Sequence, residues 1–233
     1  MQDKSIAIIP ARGGSKRCPN KNLAFFKNKP LVAHTIEQAI DSKIFERIIV
    51  TSDNTDILNE AKKYDIEIDF RGNNLSKDKS PLIDVIRNII KKYEINDNTI
   101  IALLLVTGPL REISDIVEAY KLFLSSDKGN SVVSVTANEN PVEMNWRLTS
   151  GHLEPYMPQW NLKTTRKQDF DTSYRYNDAV ILDTAKNFQD TTRTLFGNSP
   201  IPYIMPPERS INIDYEFQLN LVKLIGKFQQ SKK

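Results

Sequence analysis

The chain has a single cysteine, Cys18, so no disulfide framework can form within it. Its only histidines, His34 and His152, are far apart, and with one thiol they argue against a zinc site. No apolar run approaches the roughly 18 residues of a membrane span. Met1-Gln2-Asp3-Lys4 leads into the first apolar run without a signal-peptide pattern. Lys and Arg number 32 against 29 acids, a net charge of +3, which is not the basic excess of a nucleic-acid binder. The expected setting is the cytoplasm, with neither nucleic acid nor membrane as partner. The Gly-x-x-x-x-Gly-Lys-Ser/Thr, Gly-x-Gly-x-x-Gly and Gly-x-Ser-x-Gly patterns are all missing, which removes P-loop, dinucleotide-fingerprint and α/β-hydrolase readings. There is no internal repeat and no low-complexity tract.

What is present is an alternation. The 233 residues, 39% of them hydrophobic, suffice for one core. Apolar, β-rich runs at 5–9, 47–51, 66–70, 99–106 and 131–136 read as strands. Between them lie helical patterns, opened by Pro30, capped by Asn54 or Thr55, spanning 81–93, and spanning 113–124 with Glu112 or Ser114 as cap. Such alternation predicts an α/β fold, a doubly wound and mostly parallel sheet with helices on both faces. The rhythm breaks from 138 to 176, a polar and aromatic stretch with both tryptophans, Trp146 and Trp160. It contains a hairpin pattern in which residues 149–152 make a four-residue connection. Strands at 176–183 and 201–205 and a helix at 215–226 follow. The chain therefore reads as a single domain, 1–233, with an inserted arm at 138–176.

Four segments carry candidate chemistry. After the first strand, Gly13 and Gly14 would let backbone N–H groups wrap a phosphate, Arg12 and Lys21 would neutralise it from two sides, and Ser15 is a further donor. Thr107 and Arg111 follow the strand at 99–106 and are candidates for a pocket wall on the same edge, or simply for bracing a loop. Arg166, Gln168 and Asp169, with Arg175 and Asn177, could take a carboxylate-bearing polar substrate, or form a solvated loop. Asn212 and Asp214 share one face of an extended segment and suit Mg²⁺, while Asp214 also stands where it could cap the last helix.

In order, these segments resemble the CMP-sialic acid synthetases, the acylneuraminate cytidylyltransferase family. Pro10 to Asn22 match its Pro-Ala-Arg-x-x-Ser-Lys-x-x-x-x-Lys-Asn opening. Thr51-Ser52-Asp53, Arg71 with Asp78, Thr107 to Arg111, Arg166 to Asp169, Asn177-Asp178-Ala179 and Ile211 to Asp214 fall where the family has its further motifs. The resemblance implies a nucleotidyltransferase, Rossmann-like, with a protruding dimerisation arm. It implies that CTP and a nine-carbon 2-keto sugar acid, sialic or legionaminic in type, give the CMP-sugar and pyrophosphate for cell-surface glycans. It would place CTP on Arg12, Gly13, Gly14, Ser15, Lys16, Lys21, Asn22 and Arg71. The sugar acid would go to Thr107, Arg166, Gln168, Asp169, Arg175 and Asn177. Mg²⁺ would go to Asp214 and Asn212, and catalysis to Arg12, Lys21 and Asp214. It also implies a homodimer. A synthetase for a smaller 3-deoxy sugar acid, or a non-catalytic CTP-binding paralogue, would share part of the pattern.

The chain departs from that pattern at named positions. Leu105-Val106 stand for Gln-Pro, Gly108 for Ser, Asp178 for Gly, Ile181 for Tyr, Pro81-Leu82 for small hydroxyl residues, and Asn212 for the first Asp of Asp-x-Asp.

Overall fold

The computed structural model describes residues 4–72, 80–126, 130–157 and 166–231. Trp160 and Asp78 lie outside them. Eleven strands and six helices are described, in chain order β1 (Ser5–Pro10), β2 (Phe25–Phe26), β3 (Lys29–Pro30), α1 (Leu31–Asp41), β4 (Arg47–Ser52), α2 (Thr55–Ala61), β5 (Glu67–Phe70), α3 (Leu82–Lys92), β6 (Ile100–Leu103), α4 (Ile113–Ser125), β7 (Val132–Ala137), β8 (Trp146–Thr149), β9 (His152–Pro155), β10 (Tyr174–Thr184), α5 (Ala185–Gln189), β11 (Ile201–Ile204) and α6 (Glu216–Ser231).

Seven strands form one sheet in the order β11-β7-β10-β6-β1-β4-β5. β1 pairs in parallel with β4 and β6, β4 with β5, and β7 with β11, while β10 runs antiparallel between β6 and β7. The chain moves outward from β1 through β4 to β5, then returns to the other side of β1 for β6. That reversal opens a crevice at the C-terminal ends of β1 and β6, where open α/β sheets take their ligands.

Alternation along the strands separates the two faces. Ala7, Ile9, Val50 and Ala102 join a core with α1, α2, α4 and α6, through Ile36, Ile57, Ile116, Phe123 and Val222. Ile8, Ile49, Ile101 and Leu103 join the opposite core with α3 and α5, through Ile86, Ile89, Ile90 and Phe188.

The helix starts follow local chemistry. Asn54 caps α2, its side chain accepting from the N–H groups of Asp56 and Ile57 at 2.8 and 3.2 Å. Glu112 is the cap of α4, and its own N–H donates to Asp115 at 2.8 Å. Pro30 precedes α1 rather than sitting inside its first turn, because it still pairs with Phe25 across the small β2–β3 ribbon.

The hairpin in the arm is tighter than its sequence implied. Thr149 pairs with His152, so the connection is the two residues Ser150-Gly151, with φ of 51° and 84°. Both angles are positive, as a two-residue turn matched to strand twist requires. β8 and β9 form their own sheet, separate from the central one. No described helix is long and apolar enough to cross a membrane.

Candidate active site

The loop after β1 is stapled from both sides. The Gly13 N–H donates to Asp53 Oδ1 at 2.8 Å, tying the loop to the end of β4. The Asn22 side-chain amide donates to the Arg12 carbonyl at 2.8 Å and closes the loop on itself. A Cβ on Gly13 would lie 2.8 Å from Asn54 Cβ, so only glycine fits there. Gly14 has open space around it, and its backbone can be approached directly.

The segment before α6 docks onto this loop. Ile213 N–H donates to the Thr107 carbonyl at 2.9 Å, and the Lys21 ammonium donates to the Ile213 carbonyl at 2.8 Å. Asp214 Oδ1 is 3.0 Å from Arg17 Nη2 and 3.7 Å from Lys21 Nζ. The Arg17 guanidinium also lies over the Tyr215 ring, 5.0 Å from its centroid. The Asp214 side chain is thus engaged by cations. The N–H groups of Asp214 and Tyr215 go instead to Gln218 Oε1, at 2.7 and 2.8 Å.

Two adjoining clefts result. One, of about 300 Å³, is lined by Arg12, Lys21, Asn22, Arg71, Thr107, Asp178 and Asp214, with an apolar wall of Leu82, Val85, Leu105 and Val106. The other, of about 310 Å³, is lined by Arg12, Ser15, Lys16, Arg17, Lys21 and Asp214. Arg12, Lys21 and Asp214 border both.

The charges are only partly compensated. Burial pushes the Lys21 ammonium below its ordinary value, against the pull of Asp214 and Asp178. Arg71 is only 6% exposed, and burial lowers it too. Its Nη2 is 3.9 Å from Asp53, beyond hydrogen-bond reach, and its Nε and Nη2 have no hydrogen-bond partner. Buried guanidinium N–H groups bordering a cleft call for an acceptor from a ligand.

Asp178, which the sequence marks as one of a polar cluster after Arg166 and as a departure from the family pattern, stands in this cleft. The pairing of β10 with β7 slips between Tyr176 and Ile181, and the irregular stretch carries Asp178 to the crevice. Asp178 Oδ2 accepts from Thr107 Oγ1 at 3.0 Å and from the Asn212 side-chain amide. Burial pushes its carboxyl above the ordinary range, while those two bonds oppose the rise. Its signal in the sequence was an acid where the pattern has glycine.

Among the described residues no three His, Cys, Asp or Glu side chains are placed to hold a metal. The oxygens of Asp214 and Asp178 line the first cleft and suit a hard cation such as Mg²⁺, which takes one or two carboxylates and completes its shell with waters and phosphates. The Asn212 Oδ1 atom is buried without a hydrogen-bond partner, and Asn212 lines neither cleft.

The residues expected to hold a sugar acid are not gathered with the rest. Thr107 lines the first cleft. Arg166 and Asp169 pair with each other at 2.9 Å on an exposed turn with Gln168, and none of the three lines either cleft. Arg175 donates to the Ser210 carbonyl at 3.3 Å and borders a different hollow. Asn177 is 1% exposed and donates to Ser210 Oγ at 2.9 Å, a bracing position behind the bulge. Arg111, 2% exposed, braces the wall by donating to the Ala179 carbonyl at 2.6 Å and to Gln38 Oε1 at 2.8 Å. Its burial pushes the guanidinium down to about 10.

Comparison with known proteins bears directly on this arrangement. The profile described as "Cytidylyltransferase" matches residues 6–206. An N-acylneuraminate cytidylyltransferase of Escherichia coli O18:K1:H7 is 34% identical over 221 residues, 95% of this chain and 52% of that protein. The chain thus spans about half the length of that relative. A pseudaminic acid cytidylyltransferase of Campylobacter jejuni is 30% identical over 229 residues, 96% of this chain and 97% of that protein. A solved CMP:2-keto-3-deoxy-manno-octonic acid synthetase complexed with CTP superposes with a TM-score of 0.73 at 13% identity, covering 97% of this chain and 100% of that one. At that identity the likeness concerns the fold.

Proposed function

Because the chain belongs to the cytidylyltransferase family, we propose that it transfers the cytidylyl group of CTP to a nine-carbon 2-keto sugar acid and releases pyrophosphate. The observation that carries this reading is the crevice where Arg12 and Lys21 meet Asp214 beside the unpartnered N–H groups of Arg71. The loop glycines and cations cradle the triphosphate, and Arg71 donates to acceptors of the nucleotide. The anomeric hydroxyl attacks the α-phosphorus. The bond to the β-phosphate oxygen breaks, its electron pair leaves with pyrophosphate, and the hydroxyl proton is released. Such chemistry is mainly positioning and charge stabilisation. Lys21, poorly solvated and already oriented by Ile213, is the cation we assign to charge developing at the α-phosphate. When bound, Mg²⁺ would neutralise charge on the phosphates of CTP, with Asp214 holding it.

The apolar wall of Leu82, Val85, Leu105 and Val106 suits a deoxygenated, acylated sugar acid, legionaminic or pseudaminic in type, better than one bearing more free hydroxyls. We also propose a homodimer joined through the arm, where Leu148 and Leu153 are 74% and 65% exposed on the hairpin.

The test is pyrophosphate release and CMP-sugar detection by mass with CTP, Mg²⁺ and a panel of nonulosonic and eight-carbon sugar acids. The expected result is product from the nine-carbon acids, with Asp214→Ala slower by about 10²–10³-fold, the cost of losing one element of electrostatic stabilisation. Silence across the panel despite CTP binding, or full activity in Asp214→Ala, would overturn the assignment.

A further inference from the structure

Asp178 occupies a backbone conformation that suits glycine. Its φ is 58°, in the left-handed region that costs most side chains about 1 kcal/mol or more. Its Oδ2 accepts from Thr107 and Asn212, so the donor of Asn212 is spent on Asp178. Both of these bonds fall on the one oxygen. Across the same cleft stand Asp214, Lys21 and Arg12.

Asn212 itself lines neither cleft, and its Oδ1 is buried. Arg71, 6% exposed, lines the cleft with two donor atoms unmatched. The donors of Arg71 ask for an anion or a polar base, whereas the carboxylates of Asp178 and Asp214 ask for a cation. Two carboxylates beside a bare triphosphate would repel it, and a divalent cation between them removes the conflict.

We infer that Asp178, rather than Asn212, partners Asp214 in holding the divalent cation that accompanies CTP, and that Asn212 positions Asp178 through its amide. This rests on the cytidylyltransferase reading above. This chain has an amide at 212 and a carboxylate at 178. The two residues are joined by a hydrogen bond in which Asn212 donates, so the negative charge of that contact stands at 178, on the residue that lines the cleft.

The decisive quantity is the ratio of CTP dissociation constants in EDTA and in saturating Mg²⁺, measured by calorimetry on the full chain. For Asp178→Asn the ratio falls on the order of 10- to 100-fold, the range for losing groups that orient or support a metal site. A general loss of structure would weaken CTP in both buffers and leave the ratio in place. The exchange variant Asp178→Gly with Asn212→Asp restores most of the ratio, since glycine suits the backbone at 178 and the charge returns at 212. A wild-type ratio in Asp178→Asn, or an exchange variant no better than Asp178→Asn, overturns the inference. So does a wild-type protein that gains nothing from Mg²⁺, even if it releases pyrophosphate and the proposed activity stands. A chain that binds no CTP in either buffer overturns both.

Discussion

At residue 212 an amide does something a carboxylate could not, since it donates to Asp178. Asn212→Asp therefore replaces a hydrogen bond by a contact between two acids. Without metal the variant should lose about 1–3 kcal/mol, the usual cost of unpairing a buried polar group. Mg²⁺ with CTP should return part of that loss. Thermal unfolding in EDTA and in Mg²⁺ with CTP checks this, and equal stability of variant and wild type in EDTA would contradict it. The sequence had suggested Asn212 as a metal ligand by its spacing from Asp214. Its hydrogen bond to Asp178 appears only when β10 and the segment before α6 are brought together. Arg71 shows the same limit. Its position after β5 was readable, but its unmatched donors were not, because they follow from which neighbours fail to reach it.

At the scale of elements, the site depends on how α1 and the β2–β3 ribbon hold the loop between β1 and β2. His34 on α1 bonds through Nε2 to the Phe26 carbonyl and packs on the Phe26 ring, with centroids 5.1 Å apart. Burial lowers its pKa below 6.5, with the bond to Phe26 and the charge of Glu37 opposing. The folded state then binds fewer protons than the unfolded one. The associated stability is present above about pH 6.5 and is lost as pH falls below it towards the folded value. Melting temperature should fall between about pH 7 and pH 5.5, and His34→Gln, which keeps an N–H for Phe26 but cannot titrate there, should show a shallower fall. Identical slopes would remove His34 from the account. Sequence periodicity placed α1, yet the environment of His34 depends on a two-residue ribbon too short for any pattern to announce.

At the scale of the whole molecule, the arm is the part least accounted for by one chain. Leu148 and Leu153 pair directly across the hairpin and present an apolar step to solvent. If a second copy covers it, Leu148→Glu with Leu153→Glu should turn a dimer into a monomer in sedimentation. The melting temperature of the isolated chain should change little, since both positions are exposed in it. An unchanged sedimentation coefficient would remove the hairpin from the interface. The sequence by itself determined the alternation of strands and helices, the loop from Arg12 to Asn22, and Asp214 ahead of the last helix. Each depends on local chemistry: periodicity, glycine freedom, clustered charge. Only the tertiary structure decided that β10 lies antiparallel beside β6, that its irregular stretch delivers Asp178 to the crevice, and that Asn212 serves Asp178. Those facts depend on contacts between residues 34 or more positions apart in the chain, which no local pattern encodes.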